Sequence, residues 1–186
     1  MVKIGINGFG RIGRLVFRAI CDQGLLGKEI QVVAVNDLVP ADNLAYLLKY
    51  DTMHRQFMLN GKHASISATE NSFTVNGYTT KTMAEKDPAK LPWKDLGVQY
   101  VLESTGLFTE FEKANLHVQA GAKRVLISAP TKSEPAQVPT MCLGVNHEVF
   151  DASKHTVVSN ASCTTNCLAP LVKVLHEQIG VVNGLM

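Results

Sequence analysis

The sequence lacks several features that would indicate a specialised class of protein. Its net charge is only +2, which indicates neither a nucleic-acid surface nor a membrane surface. No apolar run reaches the ~20 residues that a membrane-spanning helix needs, and the first residues show no signal-peptide pattern. With 46% hydrophobic and 18% charged residues, the composition predicts an ordinary globular protein, expected by default in the cytoplasm.

Cysteine is also scarce, and the four cysteines do not form a recognisable framework. Cys21, Cys142, Cys163 and Cys167 show no C-x-x-C pairing with histidines nearby, so no metal site is predicted. Cys163 and Cys167 are four positions apart on a predicted helix, where a disulfide would need distorted geometry. We therefore expect four free thiols, with Cys167 in a packing role.

The most unusual stretch places a cysteine where a strand gives way to a helix. Residues 156–159 form a predicted buried strand, and apolar residues recur at helical spacing from residue 168 onward. Cys163 is therefore expected at a helix N-terminus, where free N–H groups and the helix dipole favour a nucleophilic thiolate. An inert buried cysteine is the alternative. Pro170 lies too far into this helix for a first-turn proline and predicts a kink that frees the carbonyl of Asn166.

A glycine-rich turn near the N-terminus indicates a dinucleotide site. An apolar strand over residues 2–7 leads into Gly8-Phe-Gly-Arg-Ile-Gly13, and a helical apolar stripe follows. In this context the glycines allow the backbone to approach a pyrophosphate at the helix N-terminus. A second buried strand, residues 31–36, ends at Asp37, which can bind the adenosine ribose and repel a 2′-phosphate. The pattern favours NAD over NADP, with a turn cap as the alternative role for Asp37.

The rest of the chain alternates strands with helices. Asn76-Gly77 between two alternating segments predicts a β-hairpin, and Asp87-Pro88 predicts a capped helical turn. Thr109 begins a predicted capping box, Trp93 is predicted to pack in the core, and further strands are predicted over residues 99–104, 124–128 and 141–145.

This alternation predicts an α/β fold: a Rossmann-type, doubly wound, mainly parallel sheet with an antiparallel hairpin insertion. We expect residues 1–160 to form the dinucleotide-binding domain and residues 161–186 to begin a truncated catalytic domain. Ligands in such sheets bind beyond the carboxyl ends of the strands. One crevice is therefore expected to contain the glycine turn, Asp37, Thr105, Ser128 and Cys163.

The run Ser162-Cys-Thr-Thr-Asn-Cys167 resembles the active-site signature of phosphorylating glyceraldehyde-3-phosphate dehydrogenases. The resemblance also includes residues 3–14, 103–108 and 184–186, and it covers about the first half of a family subunit. It implies that Cys163 is the catalytic nucleophile and NAD the cofactor. The residues that match the family's cofactor positions are Gly8, Gly10, Arg11, Ile12, Gly13, Asp37, Lys86, Thr105 and Ser128. Among them, Arg11 and Ile12 would bind the pyrophosphate through their main-chain amides.

The resemblance further implies a glycolytic reaction in which glyceraldehyde 3-phosphate, NAD and phosphate give an acyl phosphate. Cys163 would form a thiohemiacetal, hydride transfer would give a thioester, and inorganic phosphate at Ser162 and Thr164 would cleave it. The family's base histidine falls beyond residue 186. His176 lies 13 positions along the same predicted helix, ~20 Å from Cys163, and cannot replace it. We therefore expect this chain alone to be inactive.

Two other functions are compatible with the same motifs. Erythrose 4-phosphate dehydrogenases are similar over these residues, and a non-catalytic NAD-binding module would need the glycine turn but no reactive cysteine. The chain also departs from the family at Arg55, where glycine is usual, so residues 53–57 are assigned no role. The resemblance implies a homotetramer for the full-length family, and neither a nucleic-acid partner nor a membrane partner is expected.

Overall fold

A computed structural model describes residues 1–185 of the chain. The strands are β1 Val2–Asn7, β2 Ile30–Asn36, β3 Tyr50–Asp51, β4 Arg55–Gln56, β5 Met58–Leu59, β6 Lys62–His63, β7 Ile66–Thr69, β8 Ser72–Val75, β9 Tyr78–Met83, β10 Tyr100–Glu103, β11 Arg124–Ile127 and β12 Val157–Ser159. The α-helices are α1 Arg11–Asp22, α2 Ala41–Lys49, α3 Trp93–Leu96, α4 Phe111–Ala114, α5 Leu116–Gln119 and α6 Cys163–Ile179. Two short 3₁₀ helices cover Pro88–Lys90 and His147–Val149.

Eight of these strands form one sheet in the order β12-β11-β10-β1-β2-β9-β8-β7. The strands from β12 to β9 are parallel to their neighbours, whereas β8 and β7 add antiparallel strands at one edge. The chain first builds outward from β1 through β2 to β9 and then returns to add β10 on the other side of β1. This reversal is the switch point of a doubly wound sheet. The predicted Rossmann-type fold with an antiparallel insertion is confirmed.

The sheet is covered on both faces by apolar side chains, as its nearly continuous hydrophobic strands require. On one face, Phe9, Phe17 and Phe73 pack with ring centroids 5.4 to 6.0 Å apart, and α1 and α2 cover them. On the other face, Trp93 and Val101 are part of a second buried cluster. Neighbouring residues on one strand belong to different clusters because side chains alternate across a sheet.

The hairpin and the capped turn have the predicted structures. Asn76 and Gly77 have φ angles of +47° and +88°, the left-handed pair that a two-residue hairpin turn requires between β8 and β9. Asp87 accepts a hydrogen bond from Ala89 N at the start of the Pro88–Lys90 turn. Trp93 is buried, as expected for a packing residue.

Two local predictions were wrong because side chains outside the predicted elements supply the hydrogen bonds. The predicted capping box at Thr109 does not form: α4 begins after Glu110, and the amide of Phe111 donates to Ser133 Oγ from a separate loop at 2.8 Å. The helix is also divided into α4 and α5 at Asn115. Residues 141–145 form turns instead of a strand, because the Asn146 side chain accepts the amide of Cys142.

The last helix differs from the others in its exposure. Helix α6 begins at Cys163 as predicted and continues through Pro170, where the expected kink stays a prediction. None of its residues is buried among the residues that the structure describes. The packing role expected for Cys167 is therefore wrong, since its side chain is exposed. The division of the chain at residue 160 also stays a prediction.

Candidate functional site

The three glycines of the first turn have different physical roles. Gly8 has a φ of +88°, and a Cβ there would lie 2.6 Å from the amide nitrogen of Thr105. A Cβ on Gly13 would lie 2.3 Å from the carbonyl oxygen of Gly8, so this glycine allows α1 to pack closely against the end of β1. Gly10 is the exception, since a Cβ there would have no atom within 4 Å. Its side of the turn is open to a ligand.

The N-terminus of α1 faces this opening. Gly10 is its N-cap and cannot supply a side-chain acceptor for the first-turn N–H groups. These groups and the positive end of the helix dipole therefore suit an anion such as a pyrophosphate. The absence of a Cβ and the free N–H groups both fit the dinucleotide that the glycine motif predicts.

A cleft of about 480 Å³ extends from Gly10 across the switch point of the sheet. It lies at the carboxyl ends of β1, β2 and β10, where doubly wound sheets bind their ligands. Its lining includes the predicted residues Gly8, Gly10, Asp37, Lys86 and Thr105 together with Asn7, Asn36, Leu38, Ser104, Leu107 and Phe108. The second group was not assigned a role, although four of its members lie within the stretches 3–14 and 103–108 that resemble the family. Their shared signal is a position at or just after the end of a predicted strand.

Asp37 has the turn-capping role that the sequence allowed, and its ribose-binding role stays a prediction. One carboxylate oxygen accepts the amide of Phe9 at 2.8 Å and the other accepts the amide of Val39 at 3.2 Å. The side chain thus supports the glycine turn from the end of β2. It also lines the cleft, where a carboxylate can accept ribose hydroxyls.

The side chain of Arg11 forms an ion pair with Asp51. Its Nη1 lies 2.9 Å from Asp51 Oδ2, and the main-chain amides of His54 and Met53 donate to the other oxygen, Oδ1. The amide of His54, then that of Met53, the His54 side chain and the charge of Arg11 hold the pKa of Asp51 at about 2. This arrangement is consistent with the expectation that Arg11 offers its main-chain amide, and not its guanidinium, to the cofactor.

A second cleft of about 300 Å³ contains Cys163. It lies between the first turns of α1 and α6, and its lining residues are Ile12, Val16, Leu102, Leu126, Ser128, Asn160, Ala161, Ser162, Cys163 and Asn166. The single predicted crevice is therefore two clefts that border the first turn of α1, with Gly10 in one and Ile12 in the other. The prediction failed here because strand ends alone do not show how loops divide the space above a sheet.

Hydrogen bonds made by two side chains stabilise the turn before Cys163. Ser162 caps α6, with its hydroxyl oxygen accepting the amide of Thr165 at 2.9 Å. Asn166 Nδ2 donates to the carbonyls of Asn160 and Ser162, at 2.7 and 2.9 Å. Cys163 is exposed at the first position of the helix.

The other phosphate position, Thr164, lies on the outer side of the same helix turn. It is exposed and lines a shallow surface depression together with Ser162, Thr165, Leu168, Ala169 and Val172. Ser162 lines this depression and the cleft of Cys163, so it connects the two. The roles of Ser162 and Thr164 in phosphate binding stay predictions.

The remaining cysteines differ from Cys163 in their surroundings. Burial and the charge of Asp22 raise the pKa of Cys21 to about 12. Cys142 is buried, and its thiol donates to Asn166 Oδ1 at 3.5 Å. All four cysteines are free thiols, as predicted. No cluster of metal-ligating side chains occurs in residues 1–185.

The histidines lie apart from the nucleophile. No histidine lines the cleft of Cys163 in the part of the chain that the structure describes. His176 lies on α6 itself, and its Nδ1 accepts the amide of Val181. His117 is fully buried and lies within hydrogen-bonding distance of Trp93 and Glu103.

Comparison with known proteins identifies the family. The model of the glyceraldehyde 3-phosphate dehydrogenase NAD binding domain matches residues 2–111, and the model of the C-terminal domain of the same family matches residues 162–186. The chain belongs to the glyceraldehyde-3-phosphate dehydrogenase family. The resemblance of the cysteine and glycine motifs is thereby confirmed, and NAD is the cofactor of this oxidoreductase family.

Curated relatives match the chain along its whole length. Glyceraldehyde-3-phosphate dehydrogenase 1 of Bacillus cereus is 55% identical over 186 residues, which is 100% of this chain and 52% of that protein. The enzymes of Trichormus variabilis and Thermotoga maritima are 53% and 52% identical over 100% of this chain and 51% and 53% of their own length. The chain thus spans about half the length of the relatives it matches. Neither alternative, an erythrose 4-phosphate dehydrogenase or a non-catalytic module, is favoured by these relatives.

Within residues 1–185, no helix is both long enough and apolar enough to cross a membrane.

Proposed function

We propose that this chain is the N-terminal part of an enzyme that converts glyceraldehyde 3-phosphate, NAD and phosphate to an acyl phosphate through a thioester on Cys163. The observation that carries the proposal is that Cys163 and Ile12 line the same cleft. The reactive thiol therefore adjoins the helix turn that begins at the cofactor glycines. Residues 1–160 serve as the NAD-binding domain and residues from 161 onward begin the catalytic domain.

The residues of the chain have complementary tasks in cofactor binding. The first-turn amides of α1, including those of Arg11 and Ile12, bind the pyrophosphate, and Asp37 binds the adenosine ribose. Lys86 and Thr105 line the larger cleft, and Ser128 lines the cleft of Cys163. Bound NAD supplies a hydride acceptor.

Cys163 carries the covalent chemistry. Its thiolate attacks the aldehyde carbon, a C–S bond forms, and the carbonyl electron pair moves to oxygen. Collapse of that alkoxide to a carbonyl would break the C–H bond and leave a thioester on Cys163, for which bound NAD would supply the hydride acceptor. A phosphate oxygen near Ser162 and Thr164 then attacks the thioester carbon, the C–S bond breaks, and the thiolate returns. The hydroxyls and amides at the start of α6 suit an oxyanion at this position.

We also propose that this chain alone does not turn over substrate at an ordinary enzymatic rate. The thiol and hydroxyl protons need a general base, a contribution of ~10²- to 10⁴-fold, and no histidine lines the cleft of Cys163 in residues 1–185. The test is NADH formation from glyceraldehyde 3-phosphate, NAD and phosphate, with Cys163→Ser as the control for contaminating host enzyme. Turnover that depends on Cys163 and reaches roughly 1 to 10³ per second would contradict this proposal.

The cofactor assignment has its own experiment. Calorimetric titration should show tighter binding of NAD than of NADP, because Asp37 repels a 2′-phosphate. Asp37→Asn keeps an acceptor for the amide of Phe9 but removes the charge and the acceptor of the Val39 amide, so the preference for NAD should decrease at some cost in stability. Equal affinity of the unmodified chain for both cofactors would refute the assignment.

A cytoplasmic location and a homotetramer of the full-length protein remain part of the proposal. Both follow from the family. Equilibrium sedimentation of the full-length protein would test the second.

A further inference from the structure

A line of buried polar side chains runs beneath the larger cleft. Asn7, Asn36, Glu103 and His117 are each at most 5% exposed, although three of them lie at the ends of central strands. Burying so many polar groups costs free energy unless each one finds a partner. Here they form a continuous line of hydrogen bonds, from Trp93 in the core to the main chain of Glu85 at the surface. None of these four side chains has a task in the proposed cofactor binding or in the chemistry of Cys163.

The direction of each hydrogen bond in this line is fixed by its two ends. Trp93 Nε1 can only donate, and it lies 3.0 Å from His117 Nδ1. His117 Nδ1 is therefore the acceptor, and Nε2 carries the proton that it donates to Glu103 Oε2 at 2.9 Å. At the other end, the main-chain amide of Glu85 donates to Asn36 Oδ1 at 2.8 Å. Asn36 Nδ2 must then face Asn7 Oδ1, at 2.7 Å.

Glu103 is the point at which these bonds converge. Asn7 Nδ2 donates to its Oε2 at 2.6 Å, beside the bond from His117. Its other oxygen accepts both the amide of Thr105, at 2.8 Å, and the Thr105 hydroxyl. All four neighbouring groups are donors, so this position requires a side chain with two acceptor oxygens.

The two ends of the line reach opposite sides of the NAD cleft. Thr105 lines one side, directly bonded to Glu103. On the other side, Asn36 binds both the amide and the carbonyl of Glu85, at 2.8 Å each, and so fixes the peptide that precedes Lys86. Both sides are thus tied to one carboxylate that has no surface of its own in the cleft.

We propose that Glu103 is a positioning residue for NAD, acting through Thr105 on one side of the cleft and through Asn7, Asn36 and the Glu85 peptide on the other. This inference rests on the proposed NAD-binding function. It adds a residue that does not touch the cofactor but sets the width and shape of its site.

Glu103→Gln is a sharp test because an amide replaces one oxygen with a donor. If the new NH₂ faces Thr105, the Thr105 amide loses its acceptor. If it faces Asn7 and His117, two donors meet, and a compensating flip of Asn7 forces Asn36 to flip and breaks both bonds to Glu85. Either way one side of the cleft is released, with the cost of an unsatisfied buried group.

The matched control is Thr80→Val, which removes the buried hydrogen bond from the Thr80 hydroxyl to the carbonyl of Val32, outside this line. It removes one buried hydrogen bond but leaves Glu103, Thr105 and Asn36 bonded. NAD dissociation constants of the 186-residue chain and both variants should be measured by calorimetry well below their unfolding temperatures. Thermal unfolding is recorded in parallel.

Glu103→Gln should weaken NAD binding at least ~10-fold, whereas Thr80→Val should change it less than ~2-fold even where both lower the unfolding temperature. Equal losses in both variants, or none in Glu103→Gln, would reduce Glu103 to a structural residue and overturn the inference. No NAD binding by the unmodified chain would instead refute the proposed function, and this inference with it.

Hydrogen exchange of the unmodified chain covers the case in which Glu103→Gln does not fold. The amides of Thr105 and Glu85 have side-chain acceptors only, Glu103 Oε1 and Asn36 Oδ1. Both should exchange at least ~10²-fold more slowly than a free peptide because their acceptors are buried and fixed. Exchange at the free-peptide rate at either amide would overturn the proposed positioning.

Discussion

Asn166 Nδ2 donates a 2.7 Å hydrogen bond to the main-chain carbonyl of Asn160. This bond ties the first turn of α6 to the residue that follows β12. Between the two, Ala161 has a φ of +58°, a left-handed conformation that is strained for a residue with a Cβ. Cys163 thus occupies the first position of its helix because a later side chain of that helix stabilises a strained turn.

Replacement of Asn166 should therefore reduce the reactivity of the nucleophile. In Asn166→Ala, the turn loses its bonds to Asn160 and Ser162, and Cys163 should leave the helix-start position that stabilises a thiolate. We expect alkylation of Cys163 by iodoacetamide to slow about two- to fivefold, the size of a helix-dipole effect. Gln178→Ala, on the exposed end of the same helix, is the control. An unchanged or faster rate in Asn166→Ala would show that the turn does not govern the thiol.

The four thiols should label in a definite order. Cys163 should react first, the exposed Cys167 second, and Cys21 and Cys142 last, because the latter pair are wholly or partly buried and burial raises the pKa of Cys21 to about 12. Mass-mapped labelling of the folded chain at neutral pH gives this order directly. Faster labelling of Cys167 than of Cys163 would argue against activation at the helix start.

The two cleft glycines should respond differently to alanine. Gly8→Ala should lower stability by roughly 1 to 3 kcal/mol, since it places a Cβ at positive φ against the Thr105 amide. Gly10→Ala should cost less than about 1 kcal/mol because its Cβ meets no atom of the protein. Its methyl group enters the space expected for the cofactor, so NAD affinity should fall ~10-fold.

Chemical unfolding measures the first effect and calorimetry the second. Wild-type NAD affinity in Gly10→Ala would mean that the cofactor does not approach the backbone at this turn. A Gly8→Ala variant as stable as the unmodified chain would mean that the turn relaxes away from Thr105.

Acid should destabilise the chain partly through Asp51. Its pKa is about 2 in the folded protein, below the ordinary value of 3.8, so the folded state favours the ionised form. The corresponding stability is present above pH ~4 and is lost as the pH falls through about 2. Asp51→Asn should therefore show a smaller loss of unfolding free energy between pH 4 and pH 2.

Asp151 provides a comparison for this experiment, because hydrogen bonds from the Ser153 side chain and amide also lower its pKa to about 2. Urea unfolding followed by circular dichroism should give the same direction of change in Asp151→Asn. The two effects should add, since the groups share no partner. If neither variant reduces the loss of unfolding free energy between pH 4 and pH 2, both depressed pKa values are contradicted.

Local rules were sufficient for the features that depend on short stretches of chain. The Asn76-Gly77 hairpin, the Asp87 cap and the start of α6 at Cys163 each follow from the conformational needs of neighbouring residues. The glycine turn could be located in the same way, although only the structure shows that Gly10 alone is open to a ligand.

The failed capping box and the missed role of Glu103 have one physical cause: partners that are far apart in the sequence. Thr109 does not cap α4 because Ser133 does, 22 positions away from Phe111. The buried Glu103 accepts a bond from Asn7, 96 positions away, and no local pattern could indicate that pairing.

By itself, the sequence determined the alternating α/β order and the family motifs, because periodicity, glycine conformations and helix-end chemistry act within a few residues. Only the tertiary structure decided that the residues expected in one crevice line two clefts, and that the buried carboxylate of Glu103 is connected to Thr105 directly and to Asn36 through Asn7. Those features exist only when strands and loops distant in the sequence come together, since a buried polar group takes whichever partner the packed fold brings within hydrogen-bonding distance.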